Sequence, residues 1–170
     1  MTGLRPRVGR VTEQDWHFAE LNIGRLHEPL DHPATSEFVA ALDEINALAD
    51  AAPGFVWRLQ DEATGLSSSY VQADDDPLNI INLSVWETPE QLHDYVYRTA
   101  HTPFLRRRRE WFQKLELFLV CWWVPAGHVP TVAEAMAKLE QLGREGPSDE
   151  AFTLRDRRPA PSLRVAPQPG

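Results

Sequence analysis

The sequence has a single cysteine, Cys121, which excludes an internal disulfide and leaves no thiolate cluster to hold a metal. It is short of positive charge: 17 lysines and arginines stand against 25 acidic residues, a formal net charge of −8. That balance argues against non-specific binding to nucleic acid or to an anionic membrane, both of which are polyanions. The chain shows neither an apolar leader nor an apolar run long enough to span a bilayer, so the expected setting is cytoplasmic with no membrane partner. Metal-binding spacings are missing too. The run Asp74 to Asp76 lacks the spacing and glycine of an EF-hand and reads as a solvated loop. His27, Asp31 and His32 lie in a prolyl loop without a helical histidine pair or a cysteine partner, so no metal is assigned to them.

What is present is apolar material, 42% of 170 residues, enough for one domain with a real core. Residues 1–14 are polar, carry Arg5, Arg7 and Arg10 without periodicity, and are expected to be a loose arm. Residues 15–154 form the expected domain, and 155–170, rich in proline and arginine, the expected disordered tail.

The chain is organised around Asn79 to Leu115. With period two, Ile81, Leu83 and Val85 share one strand face, while Ile80, Asn82, Ser84 and Trp86 share the other. The first face is plain core. The second mixes an amide, a hydroxyl and an indole with apolar surface, which suits a cavity lining, because a buried amide must find partners. Thr88 to Gln91 is a capping box with proline at the first helical position, and Leu92, Tyr95, Val96 and Thr99 give the helix that follows an inward face. Pro103 breaks it near His101 and Thr102. A second helical segment then carries Phe104, Leu105, Trp111, Phe112 and Leu115 on one stripe, and Arg108 falls at the centre of that stripe. An inward guanidinium needs a partner. Two are open: an internal carboxylate such as Glu20 or Glu87, or an anionic ligand.

Around this centre the periodicities predict a strand over Trp16 to Arg25, with Trp16, Phe18, Glu20 and Asn22 on one face, and a helix from about Thr35 to Ala51 stopped by Pro53-Gly54. A short strand follows over Gly54 to Leu59. The polar stretch Gln60 to Leu78 is a long connection with a short strand near Tyr70 and Val71. Leu117 to Val124 is a strand apolar on both faces, so each face needs cover; helices are expected on one and a second subunit on the other. Thr131 to Glu134 caps a last helix ending at Gly143, and Phe152 to Leu154 reads as a short strand. Strand, helix, strand, strand, helix, strand is the α+β ferredoxin-like split βαβ order, here with an added C-terminal helix.

The segments Asn82 to Glu87, His101 to Phe104, Arg108 to Phe112 and Trp122 to His128 resemble a bacterial family of unknown function in the dimeric α/β-barrel superfamily. The resemblance spans about residues 16 to 154 and implies a homodimer. More distantly, the pair Asn82 and Trp86 is similar to the asparagine and tryptophan of antibiotic-biosynthesis monooxygenases, which oxidise phenolic substrates without metal or flavin. That similarity implies that Asn82 and Trp86 orient a phenolate and dioxygen, with Arg108 or His101 stabilising charge. Glu20, Asn22, Ser84 and Trp122 are the ligand-binding candidates. Other members of the superfamily bind haem through a helix histidine, which here would be His101 or His93. Three functions therefore stand: a cofactor-free enzyme acting on a small aromatic or hydrophobic molecule, a haem-binding or haem-processing protein, and a ligand-binding module without chemistry.

Overall fold

The computed structural model describes residues 15–62, 64–71, 74–98, 107–116 and 118–161. The strands are β1 (Trp16–Arg25), β2 (Phe55–Arg58), β3 (Asn79–Trp86) and β4 (Leu119–Pro125); the helices are α1 (Ser36–Asp50), α2 (Pro89–Arg98) and α3 (Val132–Glu145). The sheet runs β2-β3-β1-β4 with every neighbour antiparallel, which is the ferredoxin-like split βαβ arrangement with one added helix. In the central pair Glu20 stands opposite Ser84 and Asn22 opposite Asn82, so four polar residues meet on one face of the two inner strands.

Local chemistry sets the joints between these elements. Gly54 closes the turn after α1 at φ 76°, a conformation that favours glycine, and a Cβ there would also displace the Gln91 side-chain amide, 2.0 Å away. Its carbonyl accepts the Glu87 N–H at 2.8 Å, tying that turn to the end of β3. Thr88 Oγ1 accepts the Gln91 N–H at 3.3 Å and starts α2 behind Pro89. Thr131 Oγ1 does the same for Glu134 at 3.1 Å at the head of α3. That helix runs through Gly143, where a stop was expected. It ends at Gly146, whose φ of 75° is one that side-chain-bearing residues rarely adopt and whose N–H donates to the Leu142 carbonyl at 2.9 Å.

The two faces of the sheet carry different layers. Phe18, Trp86 and Cys121 pack with Ala49 of α1 and with Leu92 and Tyr95 of α2. Ala19, Leu21, Ile81, Leu83, Val85, Val120 and Val124 pack on the other face with Ala135, Leu139 and Leu142 of α3. The cover expected there from a second subunit is thus supplied by the same chain: Leu21, Leu83 and Val120 are 0% exposed. An apolar strand face requires burial, and burial by the chain's own helix meets the requirement.

Three shorter expectations change. The strand sought near Tyr70 is a 3-10 turn at Ser68–Tyr70, capped by Ser67. Phe152 makes a single bridge to Cys121, exchanging N–H···O bonds of 2.7 and 3.0 Å along the outer edge of β4. Residues 155–161, assigned by composition to a loose tail, lie against the domain. Trp123 Nε1 donates to the Arg158 carbonyl at 2.8 Å, Arg157 pairs with Glu90 at 2.7 Å, and Ala160 is fully buried. Among the described residues, no helix is long and apolar enough to cross a membrane.

Candidate functional site

Asn82 sits in the middle of an inner strand, where a side chain on the helix-facing side would ordinarily be covered. It is exposed, while Ile81 and Leu83 on either side are 2% and 0% exposed. The layer of helices leaves an opening above it. The opening is a cleft of about 530 Å³ whose floor is Glu20, Asn22, Asn82, Ser84 and Trp86 from β1 and β3. Asn46 of α1, Tyr95 of α2 and Arg108 stand over that floor. Beyond Asn22, Asn46, Asn82 and Arg108, a smaller lobe of about 160 Å³ continues between Phe38, Ile80, Trp111 and Phe112. The polar row thus lies where the larger, mixed lobe meets the smaller, more apolar one.

The floor is linked by hydrogen bonds. Trp86 Nε1 donates to Ser84 Oγ at 3.0 Å, and Ser84 Oγ–H points on to Glu20 Oε2 at 3.4 Å. Among the described residues Glu20 forms no ion pair and has no other side-chain hydrogen bond. Burial disfavours its charged form and pushes its pKa up to about 8, against a smaller opposing effect of the Ser84 bond. At neutral pH it is a neutral acid, able to donate as well as accept. The Trp86 indole is 1% exposed, stacked on Tyr95 at 5.2 Å and met edge-on by Phe55 at 5.4 Å. Tyr95 donates its hydroxyl to the Ile45 carbonyl at 3.0 Å; burial, then the nearby Glu20, push its pKa up to about 12.

Arg108 lies in the helical turn 107–111 and is half-buried, while Arg107 and Arg109 beside it are exposed. The stripe reading placed it so. Arg107 is engaged by Glu37 and Glu110. Neither Glu20 nor Glu87 pairs with Arg108, whose guanidinium lies 5.0 Å over the Phe118 ring and lines both lobes.

Of the candidates read from the sequence, Glu20, Asn22, Asn82, Ser84, Trp86 and Arg108 are brought together. His101 lies outside the described residues. Trp122 lies on the opposite face: it stands across from Ala19 in the register, and its Nε1 donates to Glu134 Oε1 at 3.1 Å. A strand apolar on both sides gives no internal sign of which residues turn toward the cleft, and it is Cys121 and Trp123 that share the Phe18 side. His93 does not line the cleft; its half-exposed ring lies 4.7 Å from that of Tyr97, which does. Among the described residues, no three of His, Cys, Asp or Glu are placed to hold a metal. Asn46 went unread, although it is four residues after Leu42 and three before Ala49 on the inward stripe of α1, the same signal that singled out Arg108.

A family model described as a domain of unknown function (DUF3291) matches residues 17–167. No curated protein matches the sequence. Among solved structures, the chain is similar to SnoaB, a cofactor-independent oxygenase from Streptomyces nogalater, with 15% identity, 66% of this chain and 95% of that one covered, and a TM-score of 0.42. It is also similar to PA3566 from Pseudomonas aeruginosa, with 12% identity, 68% and 98% covered, and a TM-score of 0.45. A third likeness is to a monooxygenase, ActVA-Orf6 of Streptomyces coelicolor in complex with Nanaomycin D, with 15% identity, 70% and 95% covered, and a TM-score of 0.35.

Proposed function

The chain belongs to the family of unknown function DUF3291, and on that premise we propose that it is a cofactor-free, monooxygenase-like enzyme that oxidises a small phenolic aromatic molecule in the cleft. The observation that carries this reading is the exposed Asn82 at the centre of an otherwise buried strand, facing Arg108 across a cleft floored by Trp86. An amide at the floor and a guanidinium over it form a cradle for a single oxyanion. The aromatic wall of Phe55, Trp86 and Tyr95 suits a flat, electron-rich ring.

The residues divide the work as follows. Asn82 donates to the phenolate oxygen, and Arg108 offsets its charge. With the negative charge held, the ring carbon passes electrons to dioxygen. For a ring methylene the balance is one methylene and one dioxygen giving one carbonyl and one water, so the substrate supplies every electron and no outside reductant is required. The role of Trp86 is to set the plane of the ring through its stack with Tyr95, since its N–H is already committed to Ser84.

Anthrone tests the proposal, because it enolises to a phenol and its oxidation to anthraquinone follows that balance. Oxygen uptake and quinone formation above the protein-free rate are expected. Asn82→Ala is expected to lower kcat by about 100-fold or more while the melting temperature holds. Turnover unchanged by Asn82→Ala, or no turnover by the wild-type chain, sinks this reading.

A further inference from the structure

We propose that Glu20 is the group in the cleft that exchanges a proton with the bound molecule's hydroxyl, which makes the ligand a weak oxygen acid, a phenol or an enolisable ketone. The inference rests on the reading above for where the ligand lies, and is independent of whether dioxygen reacts there.

Glu20 projects from an inner strand into the cleft floor, 7% exposed, with one long hydrogen bond from Ser84 and no cation paired with it among the described residues. A buried carboxyl left this poorly compensated costs stability, and such groups concentrate where a proton must be moved. The groups around it do not take that role. From α2, Tyr95 has its hydroxyl committed to the Ile45 carbonyl. From β4, the Cys121 thiol is buried, and its pKa is raised by that burial and by Glu20 itself. From β2, Arg58 is held by Asp50 of α1 at 2.7 Å, so its charge is already matched. Arg108 faces the cleft beside Asn82, and Glu116, Arg155 and Asp156 lie at its rim.

In the step proposed, Glu20 in its ionised form, the minor one at neutral pH, takes the hydroxyl proton. The electron pair stays on the ligand oxygen as a phenolate, held by Asn82 and Arg108. A proton returns from Glu20 when the product leaves, and no oxidant enters this exchange. A titration near pH 8 matches the acidity of such hydroxyls, which a carboxyl at its ordinary 4.5 does not.

The test is binding of para-nitrophenol across pH, followed by the colour difference between its phenol and phenolate forms. Protonated Glu20 donates to the bound phenolate, and ionised Glu20 repels it. The wild-type affinity is therefore expected to fall tenfold per pH unit once Glu20 ionises, above about pH 8. Glu20→Gln keeps a donor and cannot ionise, so its affinity is expected to stay flat there. In Ser84→Ala the break is expected to move to higher pH, since the Ser84 bond favours the ionised carboxylate. The same alkaline fall in Glu20→Gln, or an unmoved break in Ser84→Ala, overturns the assignment. Anthrone separates the two readings: a Glu20-dependent binding limb without oxygen uptake removes the oxygenase and keeps Glu20. Oxygen uptake whose pH profile is unchanged by Glu20→Gln does the reverse.

Discussion

Glu20 ties the stability of the fold to pH. Its carboxyl holds a proton up to about pH 8 in the folded chain, against an ordinary value of 4.5. Between those values the folded state binds a proton that the unfolded chain has released, so unfolding is favoured as pH rises. The contribution is present in full below about pH 4.5 and lost by about pH 8. At about 1.4 kcal/mol per pH unit, the loss over that window is roughly 5 kcal/mol. Glu20→Gln is expected to remove this slope, so that it gains on the wild type in urea melts taken at alkaline pH and gains nothing at acid pH. Equal slopes in the two proteins would show that the buried proton is elsewhere. Gly54 is the second residue with an outsized role, because its φ of 76° strains any side chain and a Cβ there would push the Gln91 amide aside. Gly54→Ala is expected to lower stability by more than about 1 kcal/mol in a thermal melt. The residues of the cleft floor are not in that turn, so para-nitrophenol binding is expected to persist in the folded fraction.

At the scale of the element, β4 and α3 show what the sequence could and could not tell. The alternation in β1 and β3 and the stripe of α1 were legible, because each mixes polar and apolar residues with a clear period. The strand β4 does not, with Val120, Cys121, Trp122 and Val124 all buried; only its pairing with Ala19 decides that Trp122 turns away from the cleft. The end of α3 was misread for a related reason, since Gly143 and Gly146 look alike until one of them adopts a positive φ. That Asn82 faces a cavity was legible from the mixed face of β3, but where the cleft opens was not: that depends on where α1, α2 and the 107–111 turn leave a gap, a property of packing. Trp122→Phe makes the correction testable. It removes an N–H from Glu134, at a cost of about 1 kcal/mol, and leaves every cleft residue in place. Para-nitrophenol affinity is expected to be unchanged, and a fall of tenfold would return Trp122 to the binding site.

For the molecule as a whole, α3 settles how the sheet's outer face is covered. A strand apolar on both sides gave the physical ground for a second subunit, and that ground is removed when Ala135, Leu139 and Leu142 occupy the face. Any self-association of the wild-type chain must then proceed through other surfaces. Leu139 is 6% exposed within this cluster, and a carboxylate cannot be left there without a partner. In Leu139→Asp, α3 is expected to lift from the sheet and uncover Leu21, Leu83 and Val120, an apolar area of the kind that binds dyes and other chains. The variant is expected to bind an anilinonaphthalene dye and to sediment as a larger species as concentration rises. Leu139→Met, which keeps the apolar volume, is expected to behave as the wild type. If Leu139→Asp neither binds dye nor changes its sedimentation, the outer face has cover that does not depend on α3, and the account of this helix as the stand-in for a second subunit fails.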